Sequence, residues 1–373
     1  MSELSQNNKQ CCCQSESPNT GFELIADNKQ WIDKYISTPI GKIPRIKTVI
    51  TLSDKIENWK RRWGIGRVTH IIPPGLYAVG APTDKSPVFV SANYKMSFDC
   101  LRSDLDGLDG WILVLDTKGI NVWCAAGKGT FGTDELVNRI KVSGLEQVVS
   151  HRKLIVPQLG ATGVSAFRVK EMSGFRVVYG PVRSADIKRF LENRMRATPE
   201  MRRVTFNIGE RVVLIPMEFA SYLKKLLFVL AIMFILSGLG RDGYSIERLS
   251  ANGTQNVLLF VTAYLIAVIG VPVFLPLLPG RSFSVKGIWA GLLSIATAGL
   301  VFNFYPQLTP GLIASVSWIF IIIAVSSFIG MNFTGASTYT SLSGVLKEMK
   351  YAVPCQISIA ILGAVLWIVG LFI

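Results

Sequence analysis

The sequence is poor in histidine. Only two of its 373 residues are histidines, His70 and His151, and it contains no GxSxG segment. Enzymes with a serine or cysteine nucleophile need a positioned base, which is most often histidine. A lone histidine beside a predicted strand is more often structural than catalytic. The common nucleophilic catalytic sets are therefore missing from this chain.

The six cysteines also lack an informative spacing, because no CxxC pair occurs among them. We expect no disulfide framework, no zinc site and no iron–sulfur cluster within this chain. Three cysteines adjoin one another in a polar segment, and the others stand alone. They are Cys11, Cys12, Cys13, Cys100, Cys124 and Cys355.

Nucleotide-binding motifs are incomplete. GKGTFG (127–132) fits GxGxxG, but a dinucleotide site also needs an acidic residue about 20 residues later, and none occupies positions 147–156. GxxxxGK[ST] would need glycine at 122 and serine or threonine at 129, where the chain has Val122 and Gly129. The sequence supports neither kind of nucleotide site.

The net charge of +14 could suggest nucleic acid as a partner. Much of the excess, however, lies beside a long apolar run, where anionic lipid and membrane topology explain it. We therefore expect a lipid bilayer as partner and no nucleic acid.

Long apolar runs, almost all of them free of charge, fill the second part of the chain. Crossing a bilayer core of about 30 Å needs roughly 20 apolar residues. Five runs qualify, at approximately 222–239, 257–278, 288–304, 312–331 and 354–373. The polar segment NFYPQLTP (303–310) separates the third from the fourth. The sequence predicts an all-α membrane domain of five transmembrane helices over 219–373.

Basic residues predict the orientation of this membrane domain. Arg202, Arg203, Arg211, Lys224 and Lys225 precede or begin the first apolar run, and such residues stay on the cytoplasmic side. The first 40 residues are polar and do not resemble a signal peptide. We expect a multi-pass protein of the cytoplasmic (inner) membrane, with its amino-terminal domain in the cytoplasm and its carboxyl terminus outside.

The first part of the chain is predicted to hold a polar, disordered tail (1–40) and an α/β domain (41–218). Strands are predicted at 87–92, 111–116, 153–157 and 175–180. Helices are predicted near 54–62, 98–108, from 133, at 164–172 and at 184–195, the last capped by Ser184. This alternation favours a parallel sheet covered on both faces, in a Rossmann-like fold.

Three loops should meet where the predicted strands end, since ligands bind at the carboxyl edge of such sheets. They are NVWCAAGKG (121–129), ATG (161–163) and GPVR (180–183).

Cys124 in the first of these loops has two interpretations. It is either a buried apolar side chain, the usual role of a lone cysteine, or a thiolate in the first turn of a short helix beginning near Asn121. Lys128 would add positive charge to that turn. The small residues that follow would leave room for a large flat ligand, and a thiolate suits a soft metal. These small residues are Ala125, Ala126, Gly127 and Gly129.

NVWCAAGK resembles the cap-helix motif of the HgcA family of mercury-methylating corrinoid proteins. The segments SANYKMSFDCLR (91–102), VLDTKGINVWCAAGKGTFGTDELV (114–137), PQLGATGV (157–164) and YGPVR (179–183) resemble the same family. The similarity covers roughly 60–218. The family is related to the large subunits of the corrinoid iron–sulfur protein of acetyl-CoA synthesis, whose barrel domain and four-cysteine motif this chain lacks.

The resemblance implies a corrinoid-dependent methyltransferase that passes a methyl group from cobalt to Hg(II). It implies that Cys124 is both the catalytic residue and the cobalt ligand, with the corrinoid's own base displaced. The implied cofactor-binding residues are Asn121, Val122, Trp123, Cys124, Ala125, Ala126, Gly127, Lys128, Gly129, Thr130, Ala161, Gly163, Gly180 and Pro181. The implied partners are a small ferredoxin-like protein with two [4Fe-4S] clusters and a methyl donor derived from methyltetrahydrofolate.

Other functions remain open. The chain could be a corrinoid methyl carrier in one-carbon metabolism, or a transporter with a regulatory domain, although the predicted helix centres carry no charge. Cys11, Cys12 and Cys13 are either part of the disordered tail, which we favour, or a relay for Hg(II). Cys355 is expected to be a packed residue of the last helix.

Overall fold

The computed structural model describes residues 30–67, 69–333 and 342–373. Two compact units divide this chain. The first comprises residues 30–58 and Gly66–Arg203, and the second comprises Trp59–Ile65 and Val204–Ile373. Cys11, Cys12, Cys13 and most of the predicted tail lie outside the described residues.

The first unit is built on a seven-stranded sheet. Its strands are β1 (Ile32–Thr38), β2 (Gly41–Ile46), β3 (Gly75–Val79), β4 (Val88–Ala92), β5 (Gly110–Leu115), β6 (Lys153–Val156) and β7 (Arg176–Tyr179). Their spatial order is β1-β2-β3-β5-β4-β6-β7. The last four of these, β5, β4, β6 and β7, are parallel to one another. They are the four strands that the sequence predicts.

The complete sheet is mixed, so the prediction of a parallel sheet is wrong for its other half. β3 pairs antiparallel with β5, and β1 pairs antiparallel with β2, whereas β2 and β3 are parallel. Only residues 80–87 connect β3 to β4. Parallel neighbours need a crossover of about a dozen residues or more, so the chain reverses direction here.

The predicted disordered tail contains a strand. β1 pairs with β2 over most of its length, from Ile32 opposite Ile46 to Thr38 opposite Gly41. The tail prediction is therefore wrong from Ile32 onwards.

Helices cover both faces of the sheet. They are α1 (Leu52–Arg62), α2 (Lys95–Asp104), α3 (Val122–Lys128), α4 (Thr133–Val142), α5 (Leu145–Val148), α6 (Ala166–Ser173) and α7 (Ile187–Glu192). Because side chains alternate along a strand, Phe89 joins Phe98 of α2 and Phe190 of α7 in one core. Val88 and Val90 join the cluster of α4 and α6 on the other face.

Ser184 does not cap the last of these helices. It lies in a 3-10 turn, Ser184–Asp186, which precedes α7. Its hydroxyl donates a hydrogen bond to the carboxylate of Asp104 on α2. The predicted cap is therefore wrong, and the serine instead links two helices of the same face.

Four charged side chains form a buried cluster in the first unit. Lys95 Nζ lies 2.7 Å from both carboxylate oxygens of Asp99 and 3.1 Å from Asp54 Oδ1. Arg102 Nε donates to Asp99 Oδ1 at 2.7 Å, and its Nη2 forms an ion pair with Asp54 Oδ2 at 2.9 Å. Burial alone would raise the pKa of Asp54, but the hydrogen bonds from Thr51 and Lys95 and the adjacent cations hold it well below its ordinary value. Two cations thus neutralise two buried carboxylates.

Among its described residues, the second unit contains five helices that are long and apolar enough to cross a membrane, which confirms the predicted number. They are α9 (Ile215–Leu236), α11 (Thr254–Phe274), α12 (Phe283–Phe304), α13 (Leu312–Asn332) and α14 (Leu342–Gly370). Two short helices, α8 (Ile208–Val212) and α10 (Ile246–Arg248), precede the first two of them. The chain is thus a membrane protein. Cys355, expected to be packed, is exposed on α14.

Close backbone contact joins α12 to α13. A Cβ atom on Gly287 would lie 2.3 Å from the carbonyl oxygen of Ser326, and one on Gly330 would lie 2.7 Å from Gly287 Cα. Small residues allow such approach, and membrane helices associate largely through packing of this kind.

Two cations bind carbonyl groups at the carboxyl end of α11. Arg211, which is buried, donates to the carbonyl oxygen of Pro272 at 2.7 Å. Lys286 Nζ donates to the carbonyl oxygens of Leu275 and Leu278 at 2.7 and 2.6 Å. Positive charge at the carboxyl end of a helix interacts favourably with the helix dipole.

Replacing Arg102 by methionine should destabilise the first unit by about 3–5 kcal/mol, because two buried carboxylates would share one cation. Hydrogen exchange of the β4 and β5 amides in the detergent-solubilised chain measures this loss. Arg45→Met is the matched control. It removes an exposed ion pair with Asp33 and should cost at most about 1 kcal/mol. Equal losses in the two variants would contradict a special role for the cluster.

Candidate functional site

The three predicted loops follow parallel strands of the first unit. NVWCAAGKG follows β5, ATG follows β6 and GPVR follows β7. Since β4 lies between β5 and β6, the chain passes from one side of β4 to the other between β5 and β6. Such a reversal of strand order opens a crevice at the carboxyl ends of the strands.

A cavity of about 390 Å³ occupies this crevice. Phe89, Val90 and Ser91 line it from β4, and Ile155 and Pro157 line it from β6 and the loop that follows. Further lining residues come from the end of β4 and α2, the start of α3, the turn after β6, and the chain after β7 up to the start of α7. They are Tyr94, Met96, Ser97, Cys100, Leu101, Asn121, Val122, Trp123, Leu159, Gly180, Pro181, Val182, Ser184 and Ile187. Most of this lining is apolar, as in many small-molecule sites.

The helix predicted near Asn121 is present as α3. The side chain of Asn121 accepts a hydrogen bond from the backbone N–H of Cys124 at 2.9 Å, so Asn121 is the N-cap. Gly129 ends the helix with φ +82°, a left-handed conformation that glycine adopts without strain. Cys124 is exposed in the first turn, which contradicts the interpretation of this cysteine as a buried apolar residue.

Asn93 fixes the turn that leads into α3. Its Oδ1 accepts hydrogen bonds from the backbone N–H groups of Thr117 and Gly119 at 3.1 and 3.0 Å, and from Thr117 Oγ1 at 2.8 Å. Its Nδ2 donates to Asp116 Oδ1 at 3.1 Å. One side chain at the end of β4 therefore sets the path of the chain that leaves β5.

Asp116, at the start of the same turn, is held ionised. Burial opposes the charge, but hydrogen bonds from the side chain and backbone of Lys118 lower the pKa of Asp116. The same contact raises the pKa of Lys118. Glu135 of α4 accepts a hydrogen bond from the Asp116 backbone N–H at 2.8 Å. The turn is thus bound to α4 as well as to β4.

The small residues of α3 lie on two different sides. A Cβ atom on Gly127 or Gly129 would meet no atom within 4 Å, so the backbone is open there. Ala125 and Ala126 are 0% and 5% exposed and belong to the core. Lys128 is exposed and Thr130 is partly buried. The open side of α3 therefore presents Trp123, Cys124, Gly127 and Lys128.

The loop after β6 packs directly against α3. A Cβ atom on Gly163 would lie 2.2 Å from the carbonyl oxygen of Phe131 and 3.1 Å from Ala126 Cα. The neighbouring Ala161 ends a 3-10 turn, Gln158–Gly160, and is partly buried. Gly163 therefore acts through packing that fixes α3, and it does not line the cavity.

The loop after β7 closes the cavity from the other side. Gly180 and Pro181 are buried and line it. A Cβ atom on Gly180 would lie 2.9 Å from Ile155 Cγ2. Thus the structure brings Asn121, Val122, Trp123, Gly180 and Pro181 together, with Cys124 on the adjoining open side of α3.

The sequence analysis missed Asn93 and the residues of α2 that line the cavity. A polar residue just after a buried strand was the available signal for Asn93. Among the described residues, no group of three or more histidine, cysteine or acidic side chains could hold a metal ion.

Comparison with known proteins gives matches within the first unit. Residues 67–191 match the family model described as CO dehydrogenase/acetyl-CoA synthase delta subunit. The chain is 34% identical over 123 residues to the acetyl-CoA decarbonylase/synthase complex subunit gamma of Archaeoglobus fulgidus. The aligned residues make up 32% of this chain and 26% of that protein. The subunit gamma of Methanocaldococcus jannaschii is 30% identical over 129 residues, covering 34% of this chain and 26% of that protein. The chain thus spans about a quarter of the length of these relatives, and the match includes β3–β7, α3 and the cavity.

Gly163→Ala should destabilise the first unit by about 1–3 kcal/mol, because the added methyl group overlaps Phe131 and crowds Ala126. Gly127→Ala is the matched control on α3. It should be neutral or stabilise by up to about 1 kcal/mol, since alanine favours a helix. Thermal unfolding of the two variants in detergent compares them. A similar loss for both would show that the close contact at Gly163 is unimportant.

Proposed function

We propose that the first unit binds a corrinoid and passes on its methyl group while the second unit anchors it in a membrane. The observation that carries this proposal is the exposed Cys124 thiol on α3, beside open backbone at Gly127 and Gly129. A flat macrocycle needs such clearance, and its metal needs one soft donor. The residues present fit this group.

The cavity beside α3 supports the same proposal. A corrinoid whose own base is displaced must place that base elsewhere, and an apolar cavity of about 390 Å³ offers the space. Asn121, Val122 and Trp123 line this cavity and directly precede Cys124 in the sequence. Gly180 and Pro181 line the cavity from the loop after β7, and Gly180 lets this loop lie close to Ile155 of β6.

The protein's own residues prepare Cys124 to bind the metal. Asn121 fixes the first turn of α3 by accepting the Cys124 N–H, and Lys128 adds positive charge one turn later. When bound, the corrinoid supplies a cobalt atom that carries a methyl group and releases it to an acceptor. The sulfur of Cys124 would hold the cobalt and would donate electron density to it, which would favour an electrophilic acceptor.

The acceptor has two candidates. The similarity to subunits of acetyl-CoA decarbonylase/synthase complexes supports a methyl carrier in one-carbon metabolism. The exposed Cys124 favours Hg(II), because a sulfur donor helps the methyl group leave with its electron pair toward this soft cation. The second candidate is mercury methylation by a corrinoid-dependent methyltransferase.

Further components follow from this proposal. Each transfer to an electrophile leaves the cofactor short of two electrons, and we assign their delivery to a small ferredoxin-like protein with two [4Fe-4S] clusters. A donor derived from methyltetrahydrofolate would supply methyl groups. In this proposal the first unit lies on the cytoplasmic side, and the second unit, which begins at Val204 rather than at the expected residue 219, spans the inner membrane.

Cys124→Ala should change the absorption spectrum of the corrinoid-loaded chain and abolish methyl transfer to Hg(II), because the sulfur donor is removed. Spectroscopy of the detergent-solubilised chain and a methylmercury assay measure the two effects. Cys355→Ala, which replaces an exposed cysteine of α14, should leave both unchanged. A Cys124→Ala protein with the wild-type spectrum and activity would rule out the proposed ligand.

Deletion of the gene distinguishes between the two candidate acceptors. For a carrier in one-carbon metabolism, growth on one-carbon substrates without mercury should slow, since methyl groups would not reach their acceptor. For mercury methylation, growth should be unaffected while methylmercury formation is lost. The Cys124→Ala allele should reproduce the deletion phenotype in whichever case holds.

A further inference from the structure

Helix α1 carries its apolar side chains on the outside of the protein. Leu52, Ile56, Trp59 and Trp63 recur at the spacing that places side chains on one face of a helix. Leu52, Ile56 and Trp59 are 74%, 47% and 60% exposed. We call these four residues the apolar stripe. A stripe of this kind on a soluble protein would normally be buried against the core.

The opposite side of α1 is the buried one, and it is polar. Asp54 is 8% exposed and pairs with Lys95 and Arg102 in the charged cluster. Asn58, one turn further along, donates to Asp99 Oδ2 at 3.3 Å. These contacts fix the rotation of the helix, so the stripe points away from them.

Basic residues flank the apolar stripe. Lys55 and Arg62 lie along one side of it and Lys60 along the other, as the helical spacing dictates. An apolar face with tryptophan and basic borders is typical of helices that lie at the surface of a membrane. Lysine and arginine at that level attract anionic lipid headgroups.

Trp63, which directly follows α1, contacts α9 within the second unit. The rings of Trp63 and Phe219 are 5.9 Å apart in an edge-to-face arrangement. Lys224 and Lys225 follow Phe219 on α9, and an uncharged run from 226 to 239 begins directly after them. Lysines before such a run lie near the headgroups, where tryptophan is also enriched.

We propose that α1 lies in the membrane–water interface, with Leu52, Ile56 and Trp59 in contact with lipid and its basic flanks at anionic headgroups. The apolar stripe, the basic borders and continuity with α9 through Trp63 all support this one occupant. The proposal does not depend on the corrinoid.

The test uses the full chain with an environment-sensitive fluorescent amino acid at position 56 of the stripe. Position 53, an exposed serine about a quarter turn around the same helix from the stripe, is the matched control. Each labelled protein is reconstituted into phosphatidylcholine vesicles with or without phosphatidylglycerol, and quenching by a nitroxide attached near the lipid headgroup is measured.

We expect the probe at position 56 to emit at shorter wavelength and to be quenched several-fold more strongly than the probe at position 53. Removing phosphatidylglycerol should weaken the quenching at position 56. Water-like emission and weak quenching at both positions would overturn the proposal, as expected if the stripe is a docking surface for another protein. Strong quenching that is independent of phosphatidylglycerol would overturn the assignment of the basic flanks to anionic headgroups.

Discussion

The candidate site depends on the hydrogen bonds of Asn93. This side chain ends β4 and holds the turn after β5, using its amide oxygen three times and its amide nitrogen once. Because β4 and β5 are neighbours, a rigid turn here places α3 above the point where strand order reverses. Gly163 then secures α3 from the loop after β6. The exposed thiol, the open backbone and the cavity are all consequences of where these two contacts put one short helix.

Local sequence was sufficient to predict much of this architecture. β4, β5, β6 and β7 are short apolar runs, and the five membrane helices are long ones, so their character follows from composition alone. β1 and β2 are half-exposed and polar, and Pro44 argues against a strand in the middle of a sheet. The antiparallel pairing of β3 with β5 joins residues 31 to 39 positions apart, from Val79 opposite Gly110 to Gly75 opposite Val114, and no local pattern encodes it.

The features of the candidate site also divide into those that local sequence predicts and those that depend on the tertiary fold. The cap at Asn121 follows from helix chemistry that the sequence displays, whereas the exposure of Cys124 was one of two interpretations that the sequence left open. The seven-residue length of α3 gave too little pattern to decide which side meets the core, so Ala125 and Ala126 were grouped with the open glycines although they are buried. The role of Asn93 and the apolar cavity come from strand order, which brings together segments distant in sequence.

The charged cluster around Asp54 has a consequence for how α1 is related to the rest of the fold. In most amphipathic helices the apolar face packs against the protein interior and thereby sets the orientation of the helix about its own axis. In α1, by contrast, the buried ion pairs among two carboxylates and two cations set this orientation. The apolar face is therefore left on the outside. Polar chemistry inside the protein thereby determines which surface it presents to a non-aqueous solvent.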